Sequence, residues 1–182
     1  MKKREWKKEW QSPDSINLRV ESMEPPEEIV AGGQQTKLFR LVTQDNIAGA
    51  VTIVEKDGAI AFVKQNRVAI NQTILELPRG MGEPYDKSGI ETGMREATEE
   101  MGVEVSNGID LSIIYADTGL LSNPIHVICC SYVSDLETND GEVEAVFWIQ
   151  KDEIIELIRQ NIIKDAISLA ALAKYSIYKW NP

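Results

Sequence analysis

Hydrophobic alternation sharpens along the chain from Ala48 onward. "AVTIVE" and "AIAFVKQ" are apolar runs flanking Lys56-Asp57-Gly58, and Asp-Gly suits the positive-φ positions of a tight hairpin turn. "ILELP" reads as a further strand stopped by Pro78, followed by a glycine-bearing loop, "RGMGEPYDKSG". A helix is predicted from about Ile90 to Met101, with Gly102 placed as its C-terminal cap. Strands "LSIIYAD", "IHVICCSYV" and "VEAVFWIQ" follow. Two helices close the chain, "DEIIELIRQ" with Asp152 as N-cap and "DAISLAALAKYSIYKW" with Asp165 in that role. Residues 1–45 are less regular: a charged start with Trp6 and Trp10, "INLRVESMEPPEEIV", a Gly-Gly pair and "TKLFRLVT". They read as short strands broken by Pro25 and Pro26, a small subdomain or dimerisation arm ahead of a main domain at 46–182. Interleaved strands and helices around a buried sheet give an α/β or α+β class with helices on both faces.

Composition changes the picture in three ways. With 182 residues, 43% of them hydrophobic, the chain can bury one sizeable core, which favours one main domain with an appendage. The formal net charge of −10 argues against binding a nucleic-acid backbone, which needs clustered positive charge. Small anionic ligands stay open where a metal or a local basic pocket neutralises them. No apolar run reaches the length of a membrane span, and the basic start "MKKREWKK" is not followed by an apolar signal core. A cytoplasmic protein is expected. Cys129 and Cys130 are adjacent in a predicted strand, where neighbours point to opposite faces, and read as reduced strand residues. His126, the only histidine, is placed in the same strand with a packing role.

The helix after the loop carries the candidate chemistry. In "MREATEEMGV", Glu96, Glu99 and Glu100 stand at i, i+3 and i+4 and crowd onto one helical face beside Arg95. Each such like-charge pair costs a helix only about 0.2–0.5 kcal/mol, so solvated glutamates are tolerable on their own. The neighbouring turn, loop and arginine favour another reading: a carboxylate triangle one turn deep offers Mg²⁺ the oxygen ligands it requires.

These residues resemble a known family. "ELPRGMGEPYDKSGIETGMREATEEMGV" is similar to the Nudix hydrolase signature, G-x5-E-x7-R-E-U-x-E-E-x-G-U with U aliphatic. Its second half matches at Arg95, Glu96, Ala97, Glu99, Glu100, Gly102 and Val103. In the first half, counting from Gly80 puts Asp86 where glutamate is expected, and eight residues rather than seven separate it from Arg95. One inserted loop residue accounts for both offsets, leaving Asp86, Glu83 or Glu91 to partner Arg95. The resemblance spans about residues 40 to 175 through "FVKQNR", "DTGLLSNPIHVICC" and "GEVEAVFWIQKDEIIELIRQNIIKDAISLAALAKY", and points to the ADP-ribose pyrophosphatase and nucleotide-sugar branch. Where ADP-ribose enzymes usually carry a proline some sixteen residues past the box, this chain has Thr118 and Gly119, with proline only at Pro124.

The resemblance implies an α/β fold, the Nudix α/β/α sandwich around a mixed sheet, with a small N-terminal strand subdomain of a kind that exchanges across a homodimer. It implies hydrolysis of the pyrophosphate bond of a nucleoside diphosphate linked to another moiety, here ADP-ribose to AMP and ribose 5-phosphate. The alternatives are a nucleotide sugar such as a GDP- or ADP-hexose, a dinucleotide, or a non-catalytic ligand sensor. By the same resemblance Glu96, Glu99, Glu100 and the Arg79 carbonyl would hold Mg²⁺, or Mn²⁺, with Glu99 counted in the catalytic set. Arg67 and Arg79 would contact phosphate, and Gly80, Arg95 and Gly102 would be structural positions of the box. The general base would come from "LETNDGEVEAV", with Glu142 favoured, Glu144 next, and Glu137 and Asp140 behind them. Trp6, Trp10 or Phe39 could stack on the base, against ordinary packing. The expected partner is a small nucleoside diphosphate derivative, with no nucleic acid and no membrane.

Overall fold

The computed structural model describes residues 5–14, 17–25, 37–137, 141 and 143–179. Strands β1 (Lys7–Gln11), β2 (Arg19–Met23) and β3 (Leu38–Val42) form a three-stranded antiparallel sheet. The main sheet begins with β4 (Gly49–Lys56) and β5 (Ala59–Arg67), joined by the predicted turn. Asp57 (φ 48°) and Gly58 (φ 85°) both take the left-handed region that such a turn requires. β6 (Gln72–Glu76), β7 (Arg79–Gly80), β8 (Val103–Ile114), β9 (Ile125–Asp135) and β10 (Ala145–Gln150) complete seven strands. Their order is β10-β5-β4-β9-β8, with β6 on β5 and β7 on β4. Of the pairings, β4 with β9 is parallel and the others are antiparallel, so the sheet is mixed.

Helix α1 (Gly89–Met101) covers one face of this sheet, and α2 (Lys151–Arg159) and α3 (Ala166–Lys179) cover the other. Alternation along the strands makes this division. Ile53, Ile60, Phe62 and Cys129 pack toward Ile154, Ala171 and Tyr175, while Val54, Ala61, Val63 and Cys130 pack toward Ala97 and Met101. Each fully buried Val, Ile or Phe among them contributes about 1.5–3 kcal/mol over its exposed state. The expected α/β sandwich with an N-terminal strand sheet is therefore the fold observed. The two cysteines are free and buried on opposite faces, and burial pushes both thiols up to about 12, which keeps them inert.

Two expectations need correction. Asp152 is not an N-cap: α2 starts directly where β10 ends, Gln150 takes the cap position with no side-chain cap bond, and Asp152 sits in the first turn. There its charge still faces the positive helix end. Second, the strand expected at "LSIIYAD" is β8, which starts at Val103 immediately after α1 and stops before Tyr115. The polar "EVSNGID" hid its first half, because three register shifts against β9 break the alternation, with Asn107 (φ 55°) and Ser112 (φ 81°) among the strained positions. Asp165 does cap α3, its Oδ2 accepting the Ser168 backbone N–H at 2.9 Å.

The two sheets meet at a clamp. Leu41 bridges Leu121, and the Asn123 amide accepts from Thr43 N–H at 3.0 Å while donating to the carbonyls of Thr43 at 2.8 Å and Ile47 at 3.1 Å. This fixes residues 43–47 as one wall of the cleft described next.

Candidate active site

A cleft of about 620 Å³ opens between β4, β5, β7, the exposed edge of α1 and the 43–47 wall. Helix α1 is set at its edge by close packing. The Thr52 hydroxyl donates to the Gly93 carbonyl at 2.8 Å, and a Cβ on Gly93 would come within 2.7 Å of Ile128. Ser88 caps the helix, accepting the Glu91 N–H at 3.2 Å, and Gly102 (φ 64°) closes it in the left-handed region. With Gly93 and Ala97 against the sheet, Glu96, Glu99 and Glu100 fall on the cleft side.

Arg95 organises the loop between β7 and α1. Its guanidinium donates to Asp86 from Nη2 at 3.0 Å and Nε at 3.3 Å, to the Met81 carbonyl at 3.0 Å, and from Nη1 to Glu96 at 2.9 Å and Glu99 at 2.8 Å. Of the three residues that could have partnered Arg95, Asp86 does so. Glu83 instead donates its backbone N–H to Asp86 at 2.9 Å, and Glu91 accepts from the Lys87 N–H at 2.8 Å. Burial opposes the charged form of Asp86, yet Arg95, the Glu83 N–H and the Thr92 hydroxyl together hold its pKa below the usual aspartate range.

Gly80 lets Glu96 approach the backbone, since a Cβ there would stand 2.1 Å from the Glu96 carboxyl carbon. Glu100 is 2% exposed and accepts the Arg79 backbone N–H at 3.1 Å. Burial, with the charges of Glu96 and Glu76, pushes its carboxyl up to about 8 against that hydrogen bond. Among the described residues no three acidic, histidine or cysteine side chains already converge as a closed ligand set, and Arg95 holds Glu96 and Glu99. The donor chemistry nevertheless fits a hard divalent cation, because three carboxylates line one cleft.

Across from α1 stand Arg67 and Arg79, both lining the cleft. Sequence reading passed over what lies between them. Glu76, fully buried, accepts from Arg67 Nη2 and from Arg79 Nη2, the latter at 3.2 Å. Among the described residues, Arg67 Nε, Arg79 Nε and Gln65 Oε1 are buried polar atoms without a hydrogen-bond partner. Gln65 and Glu76 were visible only as neighbours of the arginines in "VKQNR" and "ELPRG", where nothing in their spacing set them apart.

The other predicted residues fall elsewhere. Glu142 and Asp140 lie outside the described residues. Glu144, about half exposed, pairs with Lys64 at 3.0 Å and accepts the Thr73 hydroxyl at 3.3 Å, away from the cleft lining. His126 packs beneath Gly89 with Nδ1 2.7 Å from Asp110 Oδ2. Trp6 lies under the Arg40 guanidinium at 4.4 Å, while Trp10 and Phe39 are half-exposed on the small sheet.

No family model matches the chain. Over 161 residues it is 27% identical to the ADP-ribose pyrophosphatase of Bacillus subtilis (strain 168), covering 86% of this chain and 83% of that one. The methanol dehydrogenase activator of Bacillus methanolicus is 27% identical over 161 residues, with the same 86% and 83% covered. Among solved structures, a Nudix hydrolase from Nitrosomonas europaea matches with a TM-score of 0.60 at 21% identity, over 73% of this chain and 90% of its own. A structure described as an ADP compounds hydrolase matches with a TM-score of 0.74 at 14% identity, over 96% and 94%. The fold is that of the Nudix hydrolases. In sequence the chain is similar to ADP-ribose pyrophosphatase, and in fold to the Nudix hydrolases.

Proposed function

We propose that the protein hydrolyses ADP-ribose to AMP and ribose 5-phosphate with a divalent cation, Mg²⁺ or Mn²⁺. The observation that carries this reading is one cleft lined by the Glu96, Glu99 and Glu100 carboxylates and by Arg67 and Arg79, whose buried Nε–H groups have no partner among the described residues. A pyrophosphate needs both, cationic donors for its outer oxygens and a carboxylate-bound metal for the rest. The likeness to the B. subtilis ADP-ribose pyrophosphatase supports the choice of ADP-ribose.

In the reaction, water adds to one phosphorus, the bridging P–O bond breaks, and the second phosphate leaves with its oxygen. Glu96, Glu99 and Glu100, with the Arg79 carbonyl, would hold the cation, which screens phosphate charge and acidifies water when bound. Arg67 and Arg79 orient the diphosphate by charge-assisted hydrogen bonds. Arg95 and Asp86 keep the loop and the α1 carboxylates in place. Glu142 is the proposed general base. Glu144 is held by Lys64, and hydrogen bonding to it lowers the Glu144 pKa, which suits a surface pair better than proton abstraction. We further propose residues 1–45 as a dimerisation arm, because β1 is exposed along its whole length. No helix among the described residues is long and apolar enough to cross a membrane.

A panel of ADP-ribose, ADP- and GDP-hexoses and dinucleotides, with products identified and chelator controls, tests the reading. ADP-ribose should turn over fastest, chelator should abolish the reaction, and Mg²⁺ or Mn²⁺ should restore it. Faster cleavage of a nucleotide sugar would move the substrate, and full activity without metal would remove the cation.

A further inference from the structure

We infer that Glu76 is a positioning residue that sets Arg67 and Arg79 as a single fork for two adjacent phosphates; this rests on the function proposed above. Its carboxylate, at the end of β6, is 0% exposed. One oxygen takes Arg67 Nη2 and the other takes Arg79 Nη2 at 3.2 Å, so one buried group joins guanidinia from two different strands. Burying a carboxylate is costly unless it is fully paired, and two guanidinia brought together without it would repel and spread. Glu76 therefore fixes their separation and offsets their mutual repulsion.

Each arginine also keeps an unused donor beside the bond to Glu76. A guanidinium has five N–H groups, and each arginine gives Glu76 bonds from Nη2 alone, leaving the buried Nε–H of both without a partner among the described residues. An edge containing Nε–H is the geometry that binds a phosphate with two parallel bonds. Asp165 adds a longer ion pair to the same Arg79 nitrogen, with Oδ1 3.7 Å from Nη2, while its Oδ2 is occupied by Ser168. Two such edges spaced by a single carboxylate suit a diphosphate, and they offer nothing to a nucleoside lacking phosphate.

The test is equilibrium binding of ADP and adenosine to the full chain in Mg²⁺ by calorimetry, for the wild type, Glu76→Gln and Glu76→Asp. Gln keeps the volume but loses the charge, and Asp keeps the charge but falls short of spanning both arginines. The expected result is about a tenfold or larger loss of ADP affinity in each variant with adenosine binding unchanged, since a charge-assisted bond is worth about that factor. In turnover the loss should appear in KM with kcat nearly retained. If Glu76→Gln does not fold, the ADP-selective loss in Glu76→Asp carries the result. Unchanged ADP binding in a folded variant, equal losses for ADP and adenosine, failure of both variants to fold, or no ADP binding by the wild type would each overturn the inference. ADP binding with no cleavage of ADP-ribose would instead sink the functional reading while leaving the fork measured.

Discussion

Two clusters in this molecule draw a glutamate at least partly out of water, and they resolve its charge in opposite ways. At the far end of β4, Glu55 accepts from Lys151 at 2.7 Å, Lys179 at 3.0 Å, the Tyr175 hydroxyl and the Cys129 thiol at 3.4 Å, tying the start of α2 and the end of α3 to the sheet. Burial opposes its charge, but these bonds bring its pKa down to about 2. In the cleft, burial and the nearby Glu96 and Glu76 push Glu100 up to about 8, while arginine N–H groups stay unmatched. A cluster that serves the fold satisfies its own charges. One that serves a ligand is left incomplete, and that contrast separates them more clearly than residue type does.

The sharpest way to break the comparison is to neutralise one carboxylate in each cluster. Glu99→Gln should lower turnover by about a hundredfold or more, on the scale of losing one electrostatic transition-state contact, without destabilising the half-exposed helix edge. Glu55→Gln should do the reverse, leaving turnover within about twofold and lowering the melting temperature. Steady-state kinetics and thermal melts on both variants decide it. A Glu99 variant with normal turnover at saturating metal would dissolve the distinction.

A smaller effect is expected at Gly80, where the fold and the cleft touch. An alanine Cβ would overlap the Glu96 carboxylate, which is flexible enough to move but would then leave its place beside Arg95. Displacements near 1 Å at a reacting centre can cost up to about a hundredfold, so Gly80→Ala should reduce kcat by roughly ten- to a hundredfold with little change in melting. Unchanged kcat would mean that the Glu96 position is not critical.

The same comparison explains what was legible in the sequence. Strand alternation, the Asp57-Gly58 turn and the caps at Gly102 and Asp165 are local signals, and the structure follows them. The α1 carboxylates were legible because their spacing is helical. Asp86 as the partner of Arg95 was not decided, because an inserted loop residue leaves three acids within reach and only the folded loop chooses among them. Glu76 and Gln65 were missed for a related reason: their meaning comes from strands β5 and β6 lying side by side, where Gln65 pairs with Ile74 and Val63 with Glu76. Asp152 failed as a cap because the helix begins without a connecting residue. What is local in the chain could be read, and what depends on pairing could not.

Ser168 tests whether the α3 cap belongs to the fold. Its hydroxyl accepts the buried Leu77 N–H at 2.9 Å and donates to Asp165 at 2.9 Å. Ser168→Ala leaves that N–H unmatched, at a cost of about 1–3 kcal/mol. Melting should fall by about 2–4 °C per kcal/mol in a chain of this size. A variant as stable as the wild type would show that the bond is replaced locally.

The smallest expected effect is a pH slope that belongs to one cluster alone. Glu55 has a folded pKa of about 2 against an ordinary 4.5, so its bonds to Lys151, Lys179 and Tyr175 stabilise the folded state above pH 4.5. That contribution is lost as pH falls from 4.5 toward 2, because the unfolded chain takes up its proton first and the folded chain last. Lys179, held above the ordinary lysine range by its bond to Glu55, stays charged throughout this window, so the change reports the carboxylate. Melting curves of the wild type and Glu55→Gln, taken at steps from about pH 7 downward, should therefore differ most near neutrality and converge between pH 4.5 and 2. A difference that stays constant through that interval would place the stabilisation in side-chain packing around Tyr175 and take the Glu55 charge out of the account.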